Sequence, residues 1–541
     1  MNHNRSIHIL LVAILLAFTA LLRLEHRVTF YDVGPDKTRQ MIASGNFVNG
    51  RGISDCTVSP DDLSHLTCKP QTWWAPGYPI LLGLIYSVTN DFIIADYVLI
   101  ILGLFLFFVG LFRIFGIWEV GGDRYLPYCL FLVFSAFSFA PYHYLPTQDL
   151  LATGLFAFGC AEATVGIKDS RYIHFVAGGM SIFLAALVKY NFYPFLFVVP
   201  AALCLLTSIR KDKSLLRPLA IYLSPPLLGF FIVYAVIPQH LINQDASNFT
   251  KAWNWSDLLQ FDAFAVRTVF FVEPLIARLN AGSNLAIATL LIIDSLSIGI
   301  VIFTLVSGIR TVWNRHIDRM GDDKVFFALL GMITIALNIA FLSWLSIRLP
   351  EFPQPDNPHW TFVSETRYYA PSMVFILLMI FVFPFQVRSI SRLVSRACFA
   401  FIVLILMSAG GYWLWKHYDI FYKGRLAGTY AGENKENVLI AEFLRADPTL
   451  SPNSTVLGFL NIESAYGPPQ IVSNTSMTNA EDEFGWSISR LDELRTTEPR
   501  TLILRLNKTL SSEESELLAE RRGIKIMELS DTDLYRFEIL P

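Results

Sequence analysis

The chain has 541 residues, of which 53% are hydrophobic and only 16% are charged, and its mean hydropathy is +0.46. Soluble domains carry about one quarter charged residues, so this composition argues against an ordinary soluble protein. The net charge of −3 and the lack of a basic run argue against a nucleic-acid partner. The sequence therefore predicts a membrane protein, with membrane lipids among its partners.

Apolar segments of spanning length recur from the N-terminus to about residue 415. The first one lacks a small-residue cleavage site behind it, so we interpret it as a retained helix and not as a signal peptide. We predict about eleven spanning helices and a membrane domain over residues 1–415. The predicted spans are residues 6–24, 92–115, 125–142, 150–167, 173–189, 192–209, 217–237, 284–308, 325–348, 371–387 and 397–415.

Lys and Arg residues collect in five short connectors, which all lie on one side if the predicted spans alternate. Examples are Arg210-Lys211-Asp212-Lys213 and the run Arg388, Arg392 and Arg396. Connectors rich in Lys and Arg face the cytoplasm, so we predict a cytoplasmic N-terminus and an external C-terminus. We expect a multi-pass protein of a bacterial inner or plasma membrane rather than of the endoplasmic reticulum.

Every long polar segment is extracytoplasmic in this topology. The first external loop covers residues 25–91, and residues 416–541 form a tail with the composition of a soluble domain. Helix and strand patterns alternate in this tail, which predicts a small extracytoplasmic α/β domain. The predicted elements are helices at 434–446 and 511–522 and strands at 455–460, 501–506, 523–529 and 533–540.

Two of the six cysteines, Cys56 and Cys68, lie in the first external loop, whereas the other four lie in apolar segments. A disulfide between Cys56 and Cys68 is chemically allowed outside the cytoplasm, and we favour it. Two free thiols are the alternative, which the sequence leaves open.

The first external loop begins with an acid, Asp32, directly after the first predicted helix. A short amphipathic helix over residues 36–44 follows, and Gly45 is predicted to end it. Further on, Trp73-Trp74-Ala75-Pro76-Gly77-Tyr78-Pro79 leads into an apolar stretch, 80–87, that is too short to span. We predict an interfacial helix there, with the aromatic side chains at the level of the lipid headgroups.

Several polar motifs along the chain resemble those of the GT-C superfamily of membrane glycosyltransferases, the class of protein O-mannosyltransferases and aminoarabinose transferases. The residues that carry the resemblance are Asp32, Ala43, Gly45, Pro76-Gly77-Tyr78-Pro79, Pro146-Thr147-Gln148-Asp149, Lys189 and Arg367-Tyr368-Tyr369-Ala370-Pro371. Each motif is weak by itself, and the order and predicted topology of the motifs carry the resemblance. The pair Gly34-Pro35, which follows Asp32, departs from the family pattern.

The resemblance implies a glycosyltransferase that takes a sugar from a polyprenyl-phosphate donor and transfers it to a protein, lipid or glycan outside the cytoplasm. Asp32 is then the base that deprotonates the acceptor in one inverting displacement. The alternative for Asp32 is the cap of the helix that follows. Asp149 is the second catalytic candidate, which would hydrogen-bond the acceptor or orient Asp32. Its alternative is an ordinary helix start.

Lys189 and Arg367 are the cations that we assign to the donor phosphate, since basic residues are less expected at external helix ends. The alternative for both is contact with ordinary lipid headgroups. Tyr368 and His359 lie in the same loop region as Arg367 and join the predicted substrate-binding set. Asp36 is also included there, although a first-turn acid of the following helix is its simpler interpretation.

No cluster of Cys, His and acidic residues has the spacing of a metal site, so we predict no structural metal, and a weakly held divalent cation at the acids stays open. The main rival function is a transporter or flippase of lipid-linked sugars, which would place ionisable residues near the middle of the membrane. A polysaccharide polymerase or ligase and a catalytically inactive scaffold are further alternatives.

Overall fold

The structure is a computed structural model, and it describes a defined part of the chain. The described residues are 35–59, 62–71, 74–117, 147–236, 321–348, 455–457, 500–508, 512–520, 522–528 and 532–540, with Tyr368, Thr497 and isolated positions at 292–309 and 371–375. The chain divides into two compact units, residues 1–24 with 99–417 and residues 25–98 with 418–541. The domain limits of 1–415 and 416–541 stay predictions.

Long apolar helices make up the first unit. They are α3 Phe92–Ile117, α4 Thr147–Asp169, α5 Tyr172–Val188, α6 Val198–Arg210, α7 Leu216–Val236 and α8 Asp322–Arg348, and the first seven residues of α3 belong to the second unit. A 3₁₀ segment, Tyr190–Phe197, precedes α6, and a second one, Lys213–Leu215, precedes α7. In the part of the chain that the structure describes, five helical stretches are long and apolar enough to cross a membrane. The chain is thus a multi-pass helical membrane protein.

Six of the predicted spans coincide with these helices: 92–115, 150–167, 173–189, 192–209, 217–237 and 325–348. The other five predicted spans lie wholly or largely outside the described residues, so the total of eleven stays a prediction. The side of the membrane on which each helix end lies stays a prediction as well.

Helix α4 packs closely against two neighbours through glycines. A Cβ atom on Gly154 would collide with the backbone carbonyl of Gly103 in α3. A Cβ atom on Gly159 would lie 2.9 Å from the carbonyl oxygen of Gly178 in α5. Small residues allow helices to approach where lipid provides no hydrophobic force between them. Because of this packing most of α4 is buried, including acids near both of its ends.

The second unit begins with α1, Pro35–Val48, which shows that the predicted helix end at Gly45 is wrong. The helix continues through Gly45 and ends where Gly50 adopts a φ of +74°. The N–H of Arg51 donates to the carbonyl of Asn46 at 2.8 Å, and that of Gly50 donates to Phe47 at 3.1 Å. This pair of bonds is the Schellman motif, so the second glycine ends the helix because it is the one in the left-handed conformation.

A hairpin of β1, Ser54–Ser59, and β2, Asp62–Pro70, follows α1. Its antiparallel register sets Cys56 opposite Cys68, and Cys68 is disulfide-bonded. The side chain of Cys56 lies outside what the structure describes, so the Cys56–Cys68 pairing stays a prediction that this register supports. Cys160 and Cys204 are free thiols.

The predicted interfacial helix corresponds to α2, Gly77–Thr89, which has 13 residues and is too short to span. It packs against α1, because Gly83 faces the backbone of Ser44. Tyr78 was predicted at headgroup level, but it is completely buried in the protein. Its ring therefore contributes to the interior of this unit and not to a membrane anchor.

The end of the chain forms a four-stranded sheet with the order β3-β4-β6-β5. Strand β3, Thr455–Leu457, is parallel to β4, Arg500–Asn507, and the remaining pairs are antiparallel. The other elements are helix α9, Ser512–Glu520, and strands β5, Ile524–Glu528, and β6, Thr532–Ile539. These elements agree with the predicted ones, whereas the predicted helix at 434–446 lies outside the described residues.

Candidate active site

The first helical turn of α4 carries a buried ion pair with the residue that ends α5. Lys189 leaves the helical conformation at φ −147° and ψ 122°, which aims its side chain away from the α5 axis. Its Nζ lies 2.8 Å from both carboxylate oxygens of Asp149. The Asp149 side chain is 1% exposed and that of Lys189 is 14% exposed. Loss of either partner would leave an unpaired buried charge, so each residue holds the other in place.

Tyr368 completes this cluster from a distant part of the sequence. The Nζ atom of Lys189 lies 5.7 Å from the centre of the Tyr368 ring, which is the range of a cation–π interaction. Asn338 of α8 donates its amide N–H to the carbonyl of Tyr368 at 3.1 Å, and the hydroxyl of Ser372 bonds to the amide oxygen of Asn338. Helix α8 therefore positions Tyr368 beside Lys189.

Aromatic rings surround α4 two turns after Asp149. The Phe156 ring lies 5.8 Å from Phe192, 5.3 Å from Phe195 and 6.1 Å from Phe375, measured between ring centres. Phe192 and Phe195 belong to the 3₁₀ segment that directly follows Lys189. Apolar surroundings weaken the screening by water, so the attraction between Asp149 and Lys189 is stronger here than at a protein surface.

The structure brings together three of the predicted site residues, Asp149, Lys189 and Tyr368. The carboxylate of Asp149 lies in the first turn of α4 and pairs with Lys189. Asp36 lies in the first turn of α1, as its simpler interpretation predicts, and its side chain lies outside the description. The other predicted residues, Asp32, His359 and Arg367, lie outside the described part of the chain.

Sequence reasoning missed Asp96, a completely buried acid near the start of α3. The hydroxyl of Tyr78 donates to its carboxylate at 2.7 Å. An acid inside the predicted span 92–115 is the signal that could have found it, since ionisable residues in spans are rare. It also missed Asn338, which positions Tyr368, because an Asn in an apolar helix has no motif.

The described residues contain no group of three His, Cys, Asp or Glu side chains that could hold a metal ion. The cluster around Lys189 instead combines one ammonium, one carboxylate and one aromatic face. An ammonium that is held in position by such contacts can bind an anionic group of a ligand through charge-assisted hydrogen bonds.

Comparison with known proteins finds similar solved structures. The crystal structure of ArnT from Cupriavidus metallidurans in the apo state is similar over 98% of each chain, with 14% sequence identity and a TM-score of 0.37. No family model matches the chain, and no curated protein matches it. A TM-score of this size describes two chains that are only broadly alike.

Proposed function

We propose that this protein is a glycosyltransferase that moves a sugar from a polyprenyl-phosphate donor to an acceptor on the extracytoplasmic face of the membrane. The observation that supports this most is the ammonium of Lys189, mounted between Asp149 and Tyr368 at an end of the helical unit. In the predicted topology this end faces outward, as an external transferase requires.

Lys189 fits the role of a phosphate ligand. Its ammonium carries a positive charge and lies within 2.8 Å of both carboxylate oxygens of Asp149, and an ammonium can bind a phosphate through charge-assisted hydrogen bonds. The charges of Lys189 and Asp149 cancel, so a second cation is needed to neutralise a phosphodiester. Arg367 is the residue before Tyr368 in the sequence, and we assign it that role.

In the proposed reaction the acceptor oxygen attacks the anomeric carbon of the sugar while the bond from that carbon to the phosphate oxygen breaks. The proton of the acceptor hydroxyl passes to the carboxylate of Asp32, and polyprenyl phosphate leaves with the bonding electron pair. Base catalysis of this kind contributes about 10²–10⁴-fold. Lys189 and Arg367 stabilise the negative charge that develops on the phosphate.

Asp149 is a positioning residue in this scheme, because it fixes Lys189 and need not contact the acceptor. His359 and Asp36 complete the proposed substrate-binding set. A protein, a lipid or a glycan would serve equally well as acceptor, since the scheme requires only a hydroxyl group that Asp32 can deprotonate.

The test is mass spectrometry of the lipids that co-purify with three full-length proteins: the wild type, Asp32→Asn and Lys189→Met. We expect a polyprenyl-phosphate monosaccharide to be enriched on Asp32→Asn, because this variant binds the donor but lacks the base. We expect the same lipid to be depleted on Lys189→Met. Lys189→Arg is the matched control, because it keeps the positive charge, and it should retain the lipid. Bulk phospholipid alone on all of these proteins would refute the proposal.

A transporter of lipid-linked sugars is the second candidate, and the burial of acids favours it. Asp149 and Glu162 are both buried in the single span Thr147–Asp169, and transport pathways use such residues. Reconstitution into liposomes separates the two functions. A transporter would move a fluorescent polyprenyl-phosphate sugar across the bilayer intact, whereas the transferase would consume it only when an acceptor is present.

A further inference from the structure

Two buried carboxamides flank the ion pair in the sequence. Gln148 precedes Asp149 in the first turn of α4, and Asn191 follows Lys189 by two residues in the 3₁₀ segment. Gln148 is 2% exposed and Asn191 is 9% exposed. The contact between Asp149 and Lys189 brings the two chain segments together at this end of the helical unit.

The carboxamide oxygens of Gln148 and Asn191 have no hydrogen-bond donor among the residues that the structure describes. An unsatisfied buried polar group is destabilising, so such groups are rare in stable proteins. Exchange of the amide oxygen and nitrogen would leave a donor without an acceptor in the same place. Either orientation leaves hydrogen-bonding capacity, on residues that adjoin the ion pair in the sequence, that a ligand could use.

The hydrogen-bonding groups of a carboxamide indicate which ligand could satisfy it, a phosphate or a hydroxyl group. A phosphate offers only acceptor oxygens at neutral pH, so it cannot satisfy a carboxamide oxygen. A hydroxyl group both donates and accepts, and it matches a carboxamide in either orientation. Sugars present several hydroxyl groups next to one another, so one sugar ring offers a partner for more than one carboxamide.

We propose that Gln148 and Asn191 recognise the hydroxyl groups of the transferred sugar, while Lys189 binds the phosphate to which the sugar is attached. This inference rests on the proposed function, and it names the residues that would select a carrier lipid with a sugar attached. The site then distinguishes a glycosylated donor from the bare polyprenyl phosphate that remains after transfer. A spent carrier leaves because it lacks the groups that satisfy the two carboxamides.

The test measures binding of defined lipids to the full-length protein in nanodiscs. The probes are decaprenyl phosphate and its esters with glucose, galactose, mannose and xylose. We expect the wild type to bind at least one ester about tenfold or more tightly than the bare phosphate, as expected where buried polar groups are left unpaired by the wrong ligand. In Asn191→Leu and in Gln148→Leu, the ratio of the affinity for that ester to the affinity for the bare phosphate should fall to within about threefold of unity. The affinity for the bare phosphate should not change.

Thr164→Val is the matched control, because Thr164 is a buried polar residue of α4 whose hydroxyl bonds within its own helix, to Cys160 at 2.8 Å. This variant should keep the wild-type ratio. Equal binding of all five lipids by the wild type, or an unchanged ratio in both Leu variants, would overturn the inference and leave phosphate binding intact. A wild type that binds none of the lipids would overturn the proposed function itself.

Discussion

The two ends of α4 both bury an acid, and the partners of these acids differ. Asp149 pairs with the single ammonium of Lys189, at the end of α5. Glu162, thirteen residues later in the sequence, contacts the guanidinium of Arg113 in α3 and the Nδ1 of His174 in α5 at 2.7 Å. The Asp149 pair thus joins α4 to one other helix, α5, whereas the Glu162 carboxylate joins it to two, α3 and α5.

The surroundings of the two acids differ as well. The ring of Tyr368 lies near Lys189, and the carboxamide oxygens of the neighbouring residues Gln148 and Asn191 lack a donor among the described residues. Beside Glu162, Arg113 also lies 5.8 Å from the centre of the Phe158 ring, so the cation there contacts protein on two sides. The Glu162 carboxylate links α4 to α3 and α5, and we propose ligand binding only for the Asp149 cluster. Burial of an acid is therefore insufficient to identify a site.

The largest effect is expected from Lys189→Met. This variant leaves the Asp149 carboxylate buried without a partner, which should destabilise the protein by about 3–5 kcal/mol. Loss of the phosphate ligand should also lower transfer activity by about 10²–10³-fold, as for other groups that stabilise developing charge. Thermal unfolding in detergent and a transfer assay measure the two effects. Lys189→Arg should retain most of the stability and most of the transfer activity. An active Lys189→Met would contradict the proposed site.

The double variant Asp149→Asn with Lys189→Met separates stability from function at this end. It removes both charges, so we expect it to unfold at a higher temperature than Lys189→Met alone while remaining inactive. Recovery of activity together with stability would show that the pair is only structural.

Glu162→Gln tests the opposite end. Arg113 loses its counter-charge and His174 loses the carboxylate that it contacts, and we expect a loss of about 2–4 kcal/mol in stability, since one partner of a buried pair is removed. The Kd of decaprenyl phosphate should stay within about threefold of the wild-type value, because ligand contacts at the other end are unchanged. A change of tenfold or more would mean that the two ends of α4 are coupled. His174→Gln serves as the control, because it keeps a hydrogen-bonding side chain opposite the unchanged Glu162 carboxylate.

Gly154→Ala should have the smallest effect of these changes. The added methyl group meets the backbone of Gly103, and relief of that contact requires α3 and α4 to separate slightly. We expect about 1–3 kcal/mol of destabilisation, as for other overpacked sites. Gly299→Ala is the control, because a Cβ atom there meets nothing within 4 Å. Equal melting temperatures for both variants would contradict the close approach of the two helices.

Sequence reasoning identified Asp149, Lys189 and Tyr368 as separate candidates, because each lies at a predicted external end of a helix. It assigned Lys189 to the phosphate and Asp149 to the acceptor or to Asp32, and it did not foresee that Lys189 and Asp149 pair. These two residues are 40 positions apart, and Tyr368 is held by Asn338 across 30 positions. Such pairings depend on which helices pack together, and the apolar pattern of a single helix contains no information about its neighbours.

The sequence by itself determined the membrane-spanning helices, since a run of apolar residues long enough to cross a bilayer has few other stable conformations. It also determined the strand and helix pattern at the end of the chain, because alternating and helical periodicities are local properties. Only the tertiary structure decided which glycine ends α1, that Tyr78 and Asp96 meet in the interior, and which cation each acid of α4 receives. These outcomes depend on backbone conformation and on close helix contacts, such as that of Gly154 with Gly103, which bring distant side chains to one place.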